Sequence, residues 1–365
     1  CKEIQIIILH LNRYSKVIML KTIDICNITS FRCASIGLVS GINIVVGENG
    51  SGKSHLLKIA YSIIAAYHPE RREAPEKLLS QLQVDIASKL VNVLRPDSLG
   101  RLAQRRQGRA HSEIALTFDD KRDNCSLTFY TSSSEVTFDK VPQRWQPQEP
   151  VFFPTRELLT LYPNFVSFYD GHYLEYEETY RDTCVLLGAP ALRGSKTIET
   201  QKLLNEVEKA LGGKVVLDRN GHFYLEMAGQ GTMEMPLVAE GLRKLAMAVQ
   251  LINNGSLQDK GYFFWDEPEA NLNPKLIKLV ARLILGLCKG GIQVFISTHS
   301  LSLIRELDYL RHQKEFKSVP QHYIGLKREK KETIVEEADS ADGLQTLTML
   351  EEELVQTERY LEENT

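Results

Sequence analysis

The chain has 365 residues, a formal net charge of −3, 43% apolar residues and 25% charged residues. That length exceeds one average domain and leaves room for a large core plus an inserted or appended unit. The near-neutral balance supplies no global attraction to nucleic acid or to a membrane surface, so any such contact has to be local. The cysteines Cys1, Cys26, Cys33, Cys125, Cys184 and Cys288 lie without C-x-x-C spacing, which indicates neither a disulfide framework nor a zinc site and fits a reducing cytoplasm. No apolar run is long enough for a membrane span.

Residues 1–18 read as an N-terminal extension, because Met19-Leu20-Lys21-Thr22-Ile23-Asp24-Ile25 is a natural start that runs straight into a first strand. Within the extension, Ile6-Ile7-Ile8 suits either a strap or an added edge strand. Asn27 to Arg32 follows the first strand. There Phe31 is placed to stack on adenine or to pack in the core, and the Arg32 guanidinium suits a phosphate.

Ile42-Asn43-Ile44-Val45-Val46 is a β-branched run ending at Gly47-Glu48-Asn49-Gly50-Ser51-Gly52-Lys53-Ser54, a full G-x-x-x-x-G-K-[ST] pattern. From His55 to Ala66, Leu56, Leu57, Ile59, Ala60, Ile63 and Ile64 recur at helical spacing. Strand, glycine loop and helix is the order in which backbone N–H groups and a helix N-terminus cradle an anion. The run Gly47 to His55 is thus the predicted nucleotide-binding segment, with Lys53 reaching the β- and γ-phosphates of ATP and Ser54 holding Mg²⁺.

Past His68-Pro69, Leu78, Leu82, Ile86, Leu90 and Val93 describe an amphipathic helix ended by Pro96. Arg101, Arg105, Arg106 and Arg109 follow as a basic cluster suited to DNA or phosphate, or to a solvated helix face. Between Glu113 and Val141, Ile114, Leu116, Phe118, Leu127, Phe129, Val136 and Phe138 alternate as in antiparallel strands. Val151-Phe152-Phe153 reads as a buried strand whose end, Pro154-Thr155-Arg156-Glu157, is polar enough to face nucleotide. Leu158 to Leu192 reads as inserted helices, continued by Leu203, Val207 and Leu211 and capped by Gly212. Val215 to Leu217 and Phe223 to Met227 flank Asn220-Gly221 as a hairpin, and Gly229 to Pro236 reads as a flexible link back to the main unit near Leu237.

Two more strand ends complete the pattern. Gly261-Tyr262-Phe263-Phe264-Trp265-Asp266-Glu267 is an apolar strand closed by two carboxylates. Asp266 suits the Mg²⁺ held by Ser54, and Glu267 suits the attacking water, which it orients or deprotonates. Ile292 to Ile296 ends at Ser297-Thr298-His299-Ser300, which places His299 beside the γ-phosphate. Ligands bind at the carboxyl edge of a parallel sheet, where all three motifs converge.

Gly47 to Ser54, Asp266-Glu267-Pro268-Glu269-Ala270-Asn271-Leu272-Asn273-Pro274 and Ser297 to Ser300 together resemble an ABC-type ATPase head of the SMC and RecF kind. Among these, the resemblance is to OLD-like and Septu-type defence ATPases, also found with retrons, and it covers about Met19 to Leu326. It implies an α/β P-loop head in which a mixed sheet carries an antiparallel β subdomain and an inserted helical subdomain. It also implies ATP and Mg²⁺ as cofactors, and a head-to-tail dimer or higher oligomer that sandwiches nucleotide. Ala270 to Asn273 is then a D-loop crossing to the other protomer, with Asn273 near its nucleotide. The family's Leu-Ser-Gly-Gly-Gln signature is absent. Val238-Ala239-Glu240-Gly241-Leu242-Arg243-Lys244 stands in its place, with Ala239 where a phosphate-binding serine is expected. Gly241 retains a backbone N–H for the opposite nucleotide, while Arg243 and Lys244 either supply charge across the interface or face solvent.

OLD-like nucleases continue into a Toprim domain. Here Tyr323 to Leu326 and a Thr333 to Val335 strand lead to an acidic helix with Leu347, Leu350, Leu354 and Leu361, which docks a partner or packs on its own head. No nuclease centre is expected within the chain. The domain reading is 1–18 extension, 19–155 first part of the head, 156–236 inserted helices and hairpin, 237–330 second part of the head, and 331–365 acidic helix. The resemblance implies a slow cytoplasmic ATPase that senses or scaffolds and controls a separately encoded effector, a nuclease, in anti-phage defence. The alternative is a RecF- or SMC-like repair ATPase that acts on DNA directly. Neither reading includes a membrane partner.

Overall fold

The computed structural model describes residues 18–68, 74–104, 111–172, 174–190, 198–257, 261–330, 332–345 and 348–363. The extension before residue 18, Arg105, Arg106, Arg109 and Leu347 lie outside these residues. β1 (Leu20–Ile28) and β2 (Phe31–Gly37) form a hairpin, and β3 (Ile42–Gly47) ends in the glycine loop. β4 (His111–Phe118), β5 (Cys125–Tyr130) and β6 (Thr137–Lys140) widen the hairpin into a five-stranded antiparallel sheet ordered β2-β1-β4-β5-β6. β7 (Pro150–Phe153) begins a different sheet. β8 (Lys214–Leu217), β9 (Phe223–Met227) and β10 (Gly231–Glu234) make a small three-stranded sheet within the insert. The main sheet adds β11 (Tyr262–Asp266), β12 (Gln293–Thr298), β13 (Gln321–Glu329) and β14 (Glu332–Ala338), in the order β14-β13-β3-β12-β11-β7. It is parallel throughout except for the antiparallel edge strand β14.

β3, β11, β12 and β7 are buried along their whole length, as strands covered on both faces must be. Alternate residues feed two separate cores. Ile44, Val46, Phe263, Trp265, Val294 and Ile296 face the helices Glu240–Asn253, Pro274–Lys289 and Leu301–Arg311 together with the insert. Val45, Phe264 and Phe295 face the loop helix Lys53–Ala66 and the antiparallel sheet. Register aligns the strand tips, with Asp266 opposite Ser297 and Ser297 opposite Val45. The fold is α/β with mixed sheets.

The segment 198–211 does not belong to a separate core. Leu204, Val207 and Leu211 of helix Ile198–Leu211 are buried in the same cluster as Trp265 and Ile284. Two local expectations are corrected. The stretch from Gly229 to Pro236 is not a flexible link, because its residues 231–234 are β10, paired with β9, and Met235 is buried. The positive φ of Gly229 and Gly231 makes the turn that brings β10 back. Cys26 and Cys33 form a disulfide, since the tight turn at Thr29-Ser30 sets them opposite each other on β1 and β2. The cysteine pattern therefore gives no argument for a reducing compartment. On helix Thr348–Glu363, Val355, Tyr360 and Leu361 are exposed. Among the described residues, no helix is long and apolar enough to cross a membrane.

Candidate functional site

The glycine loop is shaped by close approaches. A Cβ on Gly47 would sit 2.3 Å from the Leu326 carbonyl oxygen, and one on Gly52 would sit 2.9 Å from the Phe31 ring. Gly52 also has φ 103°, a left-handed value that a side chain would strain. Phe31 is fully buried beneath the loop, so adenine stacking is corrected to core packing that props Gly52. Arg32 points outward from β2 and pairs with Glu332 at 3.2 Å, an exposed pair that commits it away from phosphate.

Lys53 opens the loop helix, and its ammonium donates to the carbonyls of Gly47 at 2.8 Å and Glu48 at 3.0 Å. Burial pushes its pKa down, and the carboxylates of Glu267, Asp266, Glu269 and Glu48 oppose that shift. Ser54 Oγ donates to Asp266 Oδ1 at 2.9 Å, and Ser297 Oγ donates to the same oxygen. A hydroxyl and a carboxylate side by side at the end of a glycine loop are the kind of short oxygen donor set that could hold Mg²⁺.

Glu267 follows the tip of β11 with φ 47°. Its N–H donates to the Ser297 carbonyl at 3.0 Å, tying the turn to β12. Its carboxylate lies 3.3 Å from Nδ1 of His299, which is half-exposed. Glu269 is buried behind this pair, accepting from Thr298 Oγ1 at 2.6 Å and from the His299 N–H at 3.3 Å. Thus Glu269 fixes the loop that carries His299. It stands in the same acidic run as Glu267, but nothing in its spacing marks that task.

An open cleft of about 670 Å³ runs along the loop, lined by Lys53, Ser54, His55 and Glu267 and walled by Thr29, Ser30, Arg101 and Arg328. Arg101, the described member of the basic cluster, therefore faces the cleft. Arg328 Nη1 approaches the Gly50 carbonyl at 3.4 Å. Its place at the end of β13 is a feature that sequence periodicity does not expose.

The segment standing where a signature motif would be turns inward. Gly241 is buried, and a Cβ there would meet the Asn271 carbonyl oxygen at 2.3 Å, so its glycine is required by packing on this chain's own turn. Lys244 is only 2% exposed and donates to the Glu267 carbonyl. Burial lowers its pKa to about 8 against the pull of Glu269, Glu267 and Asp266. Arg243 Nε lies 3.1 Å from Glu157 Oε1, an ion pair whose N–H is not aimed at the oxygen, and Nη1 donates to the Pro236 carbonyl at 3.2 Å. The solvent-exposed reading is corrected for Lys244, which is buried, while Arg243 is half-buried against Glu157. Also corrected is the nucleotide-facing reading of the Pro154 to Glu157 strand end as it concerns Glu157, which is buried between Arg243 and Thr160. Asn273 is an N-cap: its side chain accepts from the Leu276 N–H at 3.1 Å, with Pro274 at the first helical position.

A protein-family model described as an AAA domain, putative AbiEii toxin, type IV toxin–antitoxin system, matches residues 142–305. That span holds the Asp266-Glu267 and Ser297 to Ser300 strand ends but not the glycine loop. No curated protein matches the sequence. Among solved structures, an SMC head bound to the C-terminal winged-helix domain of ScpA aligns at 13% identity and TM-score 0.54, over 87% of this chain and 97% of that one. An SMC head domain with an extended coiled coil, bound to the C-terminal domain of ScpA from Pyrococcus furiosus, aligns at 13% identity and TM-score 0.50, over 92% of this chain and 99% of that one. At such identity the likeness is one of fold, and the fold is that of an SMC-type P-loop head.

Proposed function

We propose that the chain is an ATPase of the ABC and SMC-head kind, hydrolysing ATP to ADP and phosphate at the edge formed by β3, β11 and β12. The observation that carries this reading is the 2.9 Å contact between Ser54 and Asp266, with Glu267 and His299 3.3 Å apart on the adjoining strand ends. The loop N–H groups and Lys53 bind and orient the phosphates. Ser54 and Asp266 would hold Mg²⁺, which would neutralise charge on the phosphates. Glu267 takes the proton of the attacking water as its oxygen bonds to the γ-phosphorus and the bond to the bridging oxygen breaks. His299, whose Nδ1 lies 3.3 Å from the Glu267 carboxylate, orients that carboxylate and senses the γ-phosphate.

The finer reading is of a head-to-tail, ATP-bound dimer in the cytoplasm that controls a separately encoded nuclease in phage defence. The motif resemblance and the toxin–antitoxin description of the matching family support it. The division of the chain into a head with an insert at 156–236 belongs to the same proposal. The test is ATP turnover and particle mass for wild type and Glu267→Gln, with partners purified from the native host. Glu267→Gln is expected to lose about 100-fold or more in turnover while keeping ATP and a dimeric mass. A co-purifying nuclease whose activity follows nucleotide state upholds effector control. Salt-sensitive DNA binding by the chain alone moves the reading to a repair ATPase.

A further inference from the structure

We propose that Lys244 is a positioning residue for hydrolysis, holding Glu267 in register through its backbone carbonyl; this rests on the ATPase reading above. The contact links distant parts of the chain. Lys244 lies in the first turns of helix Glu240–Asn253, and its ammonium ends on the carbonyl oxygen of the residue that faces the attacking water. The same oxygen accepts from the Ala270 N–H at 3.1 Å, while the Glu267 N–H is held by Ser297 at 3.0 Å. Glu267 is thereby pinned on both sides of its Cα.

That pinning has work to do, because Glu267 carries φ 47°, a left-handed conformation that a glutamate adopts only when its surroundings impose it. Pro268 follows and has no N–H, so it adds no hydrogen bond to hold the peptide. The helix that delivers Lys244 is seated by Gly241, three residues earlier on the same face, whose missing Cβ lets the helix meet the Asn271 carbonyl. Arg243 anchors the same turn to Glu157. The buried Lys244 ammonium is also, with that of Lys53, a cation among Asp266, Glu267 and Glu269.

The experiment compares wild type, Lys244→Met, Glu267→Gln and the double variant, reading ATP affinity with a fluorescent ATP analogue and kcat at saturating ATP. Lys244→Met is expected to lower kcat about 10- to 100-fold, the scale of a catalytic group misplaced by about an ångström, with affinity changed less than about twofold. The loss should vanish in the Glu267→Gln background, since Lys244 acts through that residue. Lys244→Gln, which keeps an N–H donor, should retain more activity than Lys244→Met and serves if the latter fails to fold. Wild-type kcat in folded Lys244→Met, or an equal loss in both backgrounds, overturns the positioning role while leaving the ATPase reading in place. Wild type that neither binds nor hydrolyses ATP overturns both.

Discussion

The loop helix Lys53–Ala66 meets polar partners in two places, and they are built on opposite plans. At its N-terminus Lys53 and Ser54 touch only loop carbonyls and one carboxylate oxygen, beside an open cleft. Along its flank, Lys58 pairs with Glu177, and Tyr61 Oη donates to Asp182 at 2.6 Å. Lys89, from helix Leu79–Leu94, completes the cluster, reaching Glu178 at 2.9 Å and Asp182 at 2.6 Å. Burial works to lower the Lys89 pKa, but Asp182 and Glu178 outweigh it and the net shift is upward. Charges at the N-terminus face a space that a charged ligand fits. Charges on the flank answer one another and fasten helix Glu178–Leu187 to helices Lys53–Ala66 and Leu79–Leu94. The first arrangement is a site and the second a joint, and substitution should separate them by what is lost, activity or stability.

The sharpest separation comes from Lys89→Met, which leaves Glu178 and Asp182 without their shared cation. Chemical denaturation should show about 3 kcal/mol of lost stability, the low end for a broken buried pair because these side chains retain some solvent contact. Turnover per folded molecule should stay unchanged; a loss of turnover at full stability would mean that the joint also serves the site. Lys53→Met is the converse case, with ATP binding weakened by about 2–3 kcal/mol and the melting temperature nearly unaltered, read by calorimetric titration and thermal melting. Asn273→Ala should cost about 1 kcal/mol as a lost N-cap, with kcat unchanged if capping is its whole role. The smallest effect concerns Asp120, whose carboxyl is held below the ordinary carboxylate range first by the Arg122 side-chain hydrogen bond and then by the Arg122 N–H and Arg144. A depressed folded pKa stabilises above the unfolded value of 3.8 and is lost as pH falls through the folded value. In acid denaturation, Asp120→Asn should therefore shed less stability than wild type below that pH.

The α/β fold and the convergence of three strand tips were legible in the sequence because each tip is one contiguous run, and parallel register levels them. The joint was not legible. Lys58 and Glu177 stand 119 residues apart, and helical periodicity assigns each a face without naming what lies opposite. The contact of Lys244 was missed for the same reason, since a lysine near a helix start reads as solvated or as charge for an interface until the carbonyl in front of it is seen. Phe31 and Asn273 show a different limit. An aromatic after a first strand serves a base or a core, and an asparagine before a proline serves a neighbour or a cap, so local pattern alone does not choose. The Cys26–Cys33 bond escaped because spacing was weighed without the turn that folds it in half.

The strand order also sets a timetable for synthesis. β3 carries the glycine loop at residues 42–47, yet its two neighbours in the sheet are β12 at 293–298 and β13 at 321–329. A ribosome adding on the order of ten residues per second leaves that strand unpaired for tens of seconds. During this interval the nascent chain exposes an apolar strand with both edges open, and the loop lacks the Leu326 and Asp266 contacts that shape it. The early strands β1, β2 and β4, which pair with one another well before β12 and β13 are made, are the part of the fold that can form first.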